Sequence, residues 1–330
     1  MGQIFEFLIY KPFSWLLIQF YGLTHSYVFA IVLFALVVKI VLLYFMARGK
    51  LGTMRTQRLQ PKLEVLRKQC GTDKEKLNAE TMKLYQQEGV SPMSGCLWML
   101  LPFPILIALY SVIRDPLTRL MSFPGNSKDV AASVIEFFTS KGIDFPVTKA
   151  TDAYAQMNLA QTVHNNFDAV NAAFGGALRD IDFMFFGMNM SQIPQFGLNP
   201  MVLIPLISGI TAYLSFMVST KMSRMPQTSQ TRVMGFISPV ISLWFGFSMP
   251  AAMSIYWTTN NVLGIAQEYF LTKRFNKQLD EEDAKKAELA ERRRVAEEKQ
   301  RELDRIARAE KIAAQKNHTG KYKVKKKPGK

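Results

Sequence analysis

A single lysine interrupts an otherwise apolar stretch near the start of the sequence. Lys39 lies within residues 27–46, which read YVFAIVLFALVVKIVLLYFM and carry no other charge. A helix of this length, at about 1.5 Å per residue, reaches the ~30 Å thickness of a bilayer core. A charge at that depth is disfavoured by roughly 2.5–3.5 kcal/mol on insertion scales, so we expect a polar or hydrated environment around it.

A second apolar segment, residues 250–272, carries a stripe of polar and small side chains. At the spacing i, i+3, i+4, i+7, i+10 and i+11, the stripe comprises Trp257, Asn260, Asn261, Gly264, Gln267 and Glu268. Residues at this spacing share one face of a helix. Thr211 and Ser215, four residues apart in the apolar segment 201–218, form a smaller face of the same kind.

These two faces and Lys39 predict a hydrated groove within the membrane, because polar side chains there face a bundle interior or water. Its predicted lining is Lys39, Thr211, Ser215, Trp257, Asn260, Asn261 and Gln267. Two simpler interpretations stay open. Lys39 could extend its ammonium toward the interface, and the amides could link neighbouring helices by hydrogen bonds.

Known catalytic signatures are missing from the sequence. There is no GxxxxGK[ST], HExxH or GxSxG motif and no Cys/His metal-ligand spacing. We therefore expect a protein that is not an enzyme and that uses no cofactor, metal or small-molecule substrate. A passive channel or transporter stays an alternative, although the apolar segments show no internal repeat.

The elements that must position these residues are apolar helices separated by charged segments. Of all residues 48% are hydrophobic and 20% charged, and the two kinds are segregated along the chain. The fold class expected is an all-α polytopic membrane protein with five transmembrane helices around the groove. The predicted spans are 27–46, 96–113, 201–218, 233–249 and 250–272.

Residues 1–26 are predicted to form an N-terminal interfacial helix and a linker. Their apolar run is interrupted by Glu6, Lys11 and Pro12, and a signal-peptide cleavage pattern is missing. A sixth span over residues 4–20 is the alternative.

A basic helical hairpin is expected at residues 47–95. Leu59, Leu63 and Leu66 have helical spacing, and Gly71 ends that helix. A capping-box pattern at residues 72–75 predicts the start of a second helix, which ends at Gly89.

The remaining segments differ in charge. The loop 114–200 has an excess of acidic residues and weak helical patterns near 130–140 and 152–174, whereas the loop 219–232 is basic. The tail 273–330 holds 20 Lys/Arg against 11 Asp/Glu and predicts a long charged helix over 280–315. Its role stays open between a solubilising tail, contact with anionic lipids and contact with ribosomal RNA.

Basic segments stay in the cytoplasm by the positive-inside rule. The hairpin, the loop 219–232 and the tail are therefore predicted to be cytoplasmic. The N-terminus and the loop 114–200 are predicted to be outside.

Several motifs, in this order and spacing, resemble the YidC/Oxa/Alb membrane-protein insertase family, and within it the Gram-positive type of YidC. Besides Lys39, they are LQPKLEVLRKQCGTDKEKLNAETMKLYQQEGVSPMSGCL (59–97), ALYSVI (108–113), FFGMNMSQIP (185–194) and MPAAMSIYWTTNN (249–261).

The resemblance implies a bacterial plasma-membrane protein that inserts and helps to fold nascent membrane proteins, alone or with the Sec translocon. Lys39 would attract the acidic flank of a substrate in the groove, and Trp257, Asn261 and Gln267 match polar family positions. The hairpin, with Gln60, Pro61, Arg67, Lys68 and Lys83, would recruit substrate. The tail would meet the ribosome or the targeting machinery.

The sequence also departs from the family pattern. Lys39 stands where most relatives carry Arg, and it keeps the charge without the planar guanidinium. Trp98 and Pro102 replace Pro and Gln, so a polar contribution from the second span is not expected. The loop 114–200 is longer than in the family.

Overall fold

The protein is described by a computed structural model that covers residues 6–91, 100–147, 149–223 and 229–323. Helices dominate this part of the chain. A π-helical turn (Glu6–Tyr10) is followed by the helices α1 (Lys11–Thr24), α2 (Tyr27–Arg58), α3 (Gln60–Cys70), α4 (Lys74–Gln87), α5 (Pro102–Arg114), α6 (Pro116–Arg119), α7 (Ser127–Lys141), α8 (Ala155–Asn165), α9 (Phe167–Ala173), α10 (Leu203–Met222), α11 (Ser229–Ser248) and α12 (Ala251–Lys323). A 3-10 turn (Pro200–Val202) precedes α10, and β1 (Met184–Phe185) pairs antiparallel with β2 (Met188–Asn189).

Two compact units divide the chain, Met1–Lys273 and Arg274–Lys330. Within the first unit, α2 and the segment Pro200–Met222 are long and apolar enough to cross a membrane, and α5 and Gly235–Ser248 are shorter apolar helices. The all-α fold class is confirmed, whereas the number of spans and their boundaries stay predictions.

Helix α2 is longer than the apolar stretch that predicts it. It continues from Tyr27 to Arg58 without a break, because no Pro or capping signal follows Met46. The first basic residues of the predicted hairpin therefore belong to the same helix as Lys39.

The two prolines of the second predicted span lie at the start of a described helix. Helix α5 begins at Pro102, so Pro102 and Pro104 lie in its first turn. Backbone N–H groups have no intrahelical partner there, and proline is tolerated. Residues 96–99, including Trp98, lie outside the described part of the chain.

Helix α1 carries exposed apolar side chains. The five residues of the π-helical turn and the 14 residues of α1 form one helical segment, close to the length of ~20 residues that spans a bilayer core. Trp15 and Leu23 are exposed by 61% and 73%, whereas Leu17 is buried. The phenolic oxygen of Tyr21 accepts a hydrogen bond from the backbone N–H of Asp182 at 2.8 Å. The interfacial position and the alternative of a sixth span over residues 4–20 both stay predictions.

The predicted loop 114–200 is a packed helical layer. The expected helical patterns correspond to α7, α8 and α9. Apolar side chains from this layer join one core with α2 and α5, and its fully buried members include Val134, Phe138, Leu159, Val163, Ile31, Phe34 and Leu109. His164 contacts Asp180 on the surface of this layer, with 2.6 Å between Nδ1 and Oδ1.

The same layer holds the start of α12. The backbone N–H groups of Ala251 and Ala252 donate to the carbonyls of Gln192 and Met190 at 2.9 and 3.0 Å. These are first-turn donors that no intrahelical carbonyl can satisfy. The outer layer therefore fixes the beginning of the helix that carries the polar stripe.

The hairpin forms as two short helices, α3 and α4, that contact each other through Lys62 and Glu88. Gly71 takes a positive φ of 57° between them. The N-cap of α4 is Asp73, whose carboxylate accepts from the N–H of Lys76 at 2.9 Å. The cap therefore lies one residue later than the predicted capping box, because aspartate supplies the acceptor itself.

The second unit is helical with ion pairs along its own surface. Arg292 pairs with Glu288 at 2.7 Å, and Arg294 pairs with Glu291 at 3.3 Å. Pairs at i,i+3 and i,i+4 stabilise an exposed helix by a few tenths of a kcal/mol each. The predicted charged helix over 280–315 is confirmed as far as its secondary structure.

Candidate functional site

Lys39 lies where α2, α10 and α12 meet. A β-carbon placed on Gly264 would be 3.6 Å from Lys39 Nζ and 3.8 Å from Ser215 Oγ. Because Gly264 has no side chain, the lysine ammonium has room beside the backbone of α12. Within the described ranges, no carboxylate forms an ion pair with Lys39. The site thus contains a cation without a protein counter-charge.

Asn261 connects α12 to α10. Its Nδ2 lies 3.2 Å from the Thr211 hydroxyl and 3.4 Å from the backbone oxygen of Ser208. The Thr211 hydroxyl in turn donates to the carbonyl of Ile207 at 2.9 Å. These contacts favour the helix-linking interpretation for Asn261 and Thr211.

Trp257 and Asn260 use other neighbours. The Trp257 ring stacks on Phe245 of α11, with ring centroids 5.5 Å apart and 30° between planes. Asn260 donates to the carbonyl of Tyr256 in its own helix at 3.1 Å. Trp257 therefore packs α12 onto α11, and Asn260 needs no partner from another helix.

Gln267 has an unused acceptor. Its Oε1 is buried and receives no hydrogen bond from the described residues. A buried polar group left without a partner costs about 1–3 kcal/mol. A donor that is not among the described residues, such as water, would relieve that cost.

A second lysine lies farther along α2. Lys50 Nζ is 2.5 Å from Glu268 Oε1 and 2.6 Å from the Ser223 hydroxyl. The same carboxylate oxygen accepts hydrogen bonds from the hydroxyls of Ser219, Ser223 and Thr272 at 3.1 Å each. The side chains of Lys50 and Glu268 are 13% and 16% exposed. This group is called the Lys50–Glu268 cluster below.

Lys39 and Lys50 lie on one face of α2, since eleven residues make about three helical turns and about 16 Å. One of the two ammonium groups is neutralised and the other is not. Of these two lysines, Lys39 is therefore the one whose charge stays available to an anionic group between α2 and α12.

Sequence reasoning assigned Lys50 to the solvated hairpin and therefore missed the cluster. The sequence contained two parts of the signal, because Lys50 shares a helical face with Lys39 and Glu268 belongs to the polar stripe. The spacings differ in length, about three turns from Lys39 to Lys50 and about one turn from Gly264 to Glu268, so the pair could not be located from sequence.

The hairpin residues expected to recruit substrate lie mainly on its surface. Gln60 and Pro61 are in the first turn of α3, and Arg67 and Lys68 are in its last turn. Lys83 of α4 pairs with Glu80 at 2.7 Å. The structure keeps these five residues in the hairpin, whereas the predicted groove residues lie on α2, α10 and α12.

Comparison with known proteins identifies the family. The model of the family described as 60Kd inner membrane protein matches residues 19–278, which include α2, the hairpin, α10 and the first part of α12. The match covers well over half of the chain.

Relatives with curated names agree with this match. The chain is 26% identical over 266 residues to "Membrane protein insertase YidC 1" of Halalkalibacterium halodurans, with 79% of this chain and 76% of the relative covered. It is 25% identical over 269 residues to "Membrane protein insertase YidC" of Nitrosococcus oceani, covering 81% of this chain and 37% of the relative. For the protein of that name from Haemophilus influenzae, identity is 26% over 272 residues, and the shares are 82% and 37%.

The chain spans little more than a third of the length of several curated relatives that it matches, and about three quarters of the one from Halalkalibacterium halodurans. The family match and the apolar helices together indicate an all-α bacterial inner-membrane protein. The chain therefore belongs to the 60Kd inner membrane protein family, the YidC/Oxa family that its motifs resemble.

Proposed function

We propose that this protein is an insertase that moves newly made membrane proteins into the bilayer and helps them to fold. The single observation that carries the proposal is the position of Lys39, a cation without a protein counter-charge among the described residues, beside Gly264 and Ser215. The family and the names of the relatives support the same activity.

In the proposed mechanism, the acidic flank of a substrate enters from the cytoplasmic side, and its carboxylate pairs with Lys39. In a low-dielectric environment this attraction is much stronger than in water. The adjoining apolar segment then passes sideways into lipid. Burial of about 20 apolar residues and the membrane potential drive the step without nucleotide or cofactor.

The other predicted residues divide into two roles under this proposal. Asn261, Thr211 and Trp257 hold α12 against α10 and α11 and so keep the groove walls in place. Gln267 and Ser215 offer polar atoms next to the path of the substrate.

The partners proposed are nascent membrane proteins, the Sec translocon, the ribosome and anionic lipids. The hairpin would contact substrate first, and the basic second unit would bind ribosomal RNA or lipid through phosphate neutralisation. The orientation proposed has the N-terminus outside and the C-terminus in the cytoplasm.

The test is insertion of a single-span substrate with an acidic flank into proteoliposomes. Lys39→Ala should reduce insertion about tenfold, which corresponds to about 1.4 kcal/mol, and Lys39→Arg should retain it. Lys221→Ala, which removes an exposed lysine at the end of α10, is the matched control. Equal insertion by Lys39→Ala and the control would remove the proposed role of Lys39.

Two other functions are separated by related measurements. A passive channel or transporter would pass solutes across sealed liposomes that contain no substrate protein. An assembly chaperone without insertase activity would crosslink from position 39 to inserted helices but not to ribosome-bound nascent chains. Deletion of residues 273–330 should reduce co-sedimentation with ribosomes at low salt, and unchanged co-sedimentation would exclude the tail as the ribosome contact.

A further inference from the structure

A cavity of about 450 Å³ lies between α1 and the layer formed by residues 114–200. Three basic residues line it, Lys11, Arg119 and Arg179. One carboxylate, Glu6, is also in the wall. This basic cavity does not include Lys39 or the other residues of the predicted groove.

The charges in the basic cavity are only partly neutralised. Arg119 holds Glu6 with two contacts from Nη1, at 3.0 and 3.1 Å, and stacks on the Tyr10 ring at 4.3 Å. In the described chain, Lys11 and Arg179 have no ion-pair partner. Arg119 Nε is buried and donates to no acceptor there. Three cations therefore face one carboxylate.

The start of α7 adds a further favourable field. Gly125, Asn126 and Ser127 line the same cavity, and Asn126 is the N-cap of this 15-residue helix. The first N–H groups of a helix and its dipole attract anions. One of these N–H groups, that of Asp129, is already capped by Asn126 Oδ1, so the side-chain cations supply most of the attraction for an anion such as a phosphate.

The N-terminal helical segment beside the cavity carries exposed apolar side chains. Trp15 lines the cavity and is 61% exposed, and Phe7, Leu8 and Leu23 of the same segment are exposed by 70%, 63% and 73%. Such a surface in a membrane protein faces acyl chains. The occupant must therefore combine an anionic group with an apolar body.

From this combination we infer that the basic cavity binds the phosphate headgroup of an anionic phospholipid. Lys11 and Arg179 contact the phosphate, and Trp15 lies against the glycerol and upper acyl region. A bound lipid at this position fastens α1 to the layer 114–200.

The test is thermal unfolding of the full chain in detergent micelles with added dihexanoyl phosphatidylglycerol. The cavity variant is Lys11→Gln with Arg179→Gln. The matched control is Lys141→Gln with Lys149→Gln, which removes two exposed lysines of the same layer that do not line the cavity. Lys11→Arg with Arg179→Lys keeps both charges, and circular dichroism establishes that each variant is folded.

We expect phosphatidylglycerol to raise the unfolding midpoint of the wild type, the control and the charge-keeping variant, and dihexanoyl phosphatidylcholine to leave it unchanged. The cavity variant should need about tenfold more phosphatidylglycerol for the same shift, since it lacks two charge-assisted contacts. An identical response of the cavity variant and the control would overturn the inference. Equal stabilisation by inorganic phosphate alone would assign the site to a free anion and overturn the lipid assignment.

Discussion

Lys50 of α2 and Glu268 of α12 form an ion pair with 2.5 Å between Nζ and Oε1, and three hydroxyl groups donate to the same carboxylate oxygen. The pair lies about three turns along α2 from Lys39. It joins α2, α10 and α12 at the end of the groove away from the layer 114–200. The pair therefore sets the spacing of the three helices around Lys39.

Removal of one partner of this pair should destabilise the protein more than removal of both. Lys50→Met leaves a mostly buried carboxylate without its cation and should lower the free energy of unfolding by about 1–3 kcal/mol. Lys50→Met with Glu268→Met should recover most of that loss. Chemical unfolding in micelles measures the free energy of unfolding of the single and the double variant, with Lys221→Met as the control. Equal losses in the single and double variants would show that the two residues are not coupled.

Gly264 should be sensitive to the size of the side chain that replaces it. Gly264→Ala adds a carbon at ordinary contact distance from Lys39 Nζ and should be tolerated. Gly264→Leu fills the space beside the ammonium and should reduce insertion of an acidic-flanked substrate about tenfold. Gly22→Leu is the control, because nothing lies within 4 Å of a β-carbon there. Full insertion by Gly264→Leu would argue against a substrate position next to Lys39.

Gly246→Ala should weaken the contact between α10 and α11. The added β-carbon would lie 2.5 Å from Pro205 Cβ and 3.0 Å from Pro205 Cα, and neither atom can move without its backbone. We expect a loss of about 1–3 kcal/mol in unfolding free energy, the usual cost of overpacking. Gly22→Ala serves as the unhindered comparison. Stability equal to the wild type would mean that the two helices can separate at this point without cost.

Asn261→Leu should affect stability rather than insertion. It removes the contacts to Thr211 and Ser208, and interhelical hydrogen bonds in membranes are worth about 0.6–1.7 kcal/mol. The unfolding midpoint should fall, and insertion per folded molecule should stay unchanged. Normal stability with lost insertion would contradict this prediction and would indicate that Asn261 contacts the substrate.

The sequence alone predicts much of the helical fold, because apolar runs and polar faces depend on local periodicity. The polar faces predict that Lys39 and the stripe containing Gly264 lie near each other, and the structure brings these two residues together. Helix rotation and the true end of α2 depend on packing between distant segments. For that reason the sequence could not show that Trp257 stacks on Phe245, or that Lys50 pairs with Glu268.

The layer 114–200 shows the same limit. Its polar composition indicates a surface segment, and its weak periodicity gives α7 to α9 approximately. Only tertiary contacts reveal that Phe138 and Val163 share a core with Phe34 of α2. The sequence likewise contains Arg119 and Arg179 as isolated basic residues of this segment, but it does not show that they share a cavity with Lys11.

The backbone contacts from Ala251 and Ala252 to Gln192 and Met190 bear on how the molecule can move. Alternating access would require this end of α12 to release two hydrogen bonds and the packing of Tyr27 on Phe183 in every cycle. Any opening of the bundle would therefore take place at its opposite end, near Lys50 and Glu268. Under the proposed function, a substrate would then leave sideways between helices rather than through an opening beside the layer 114–200.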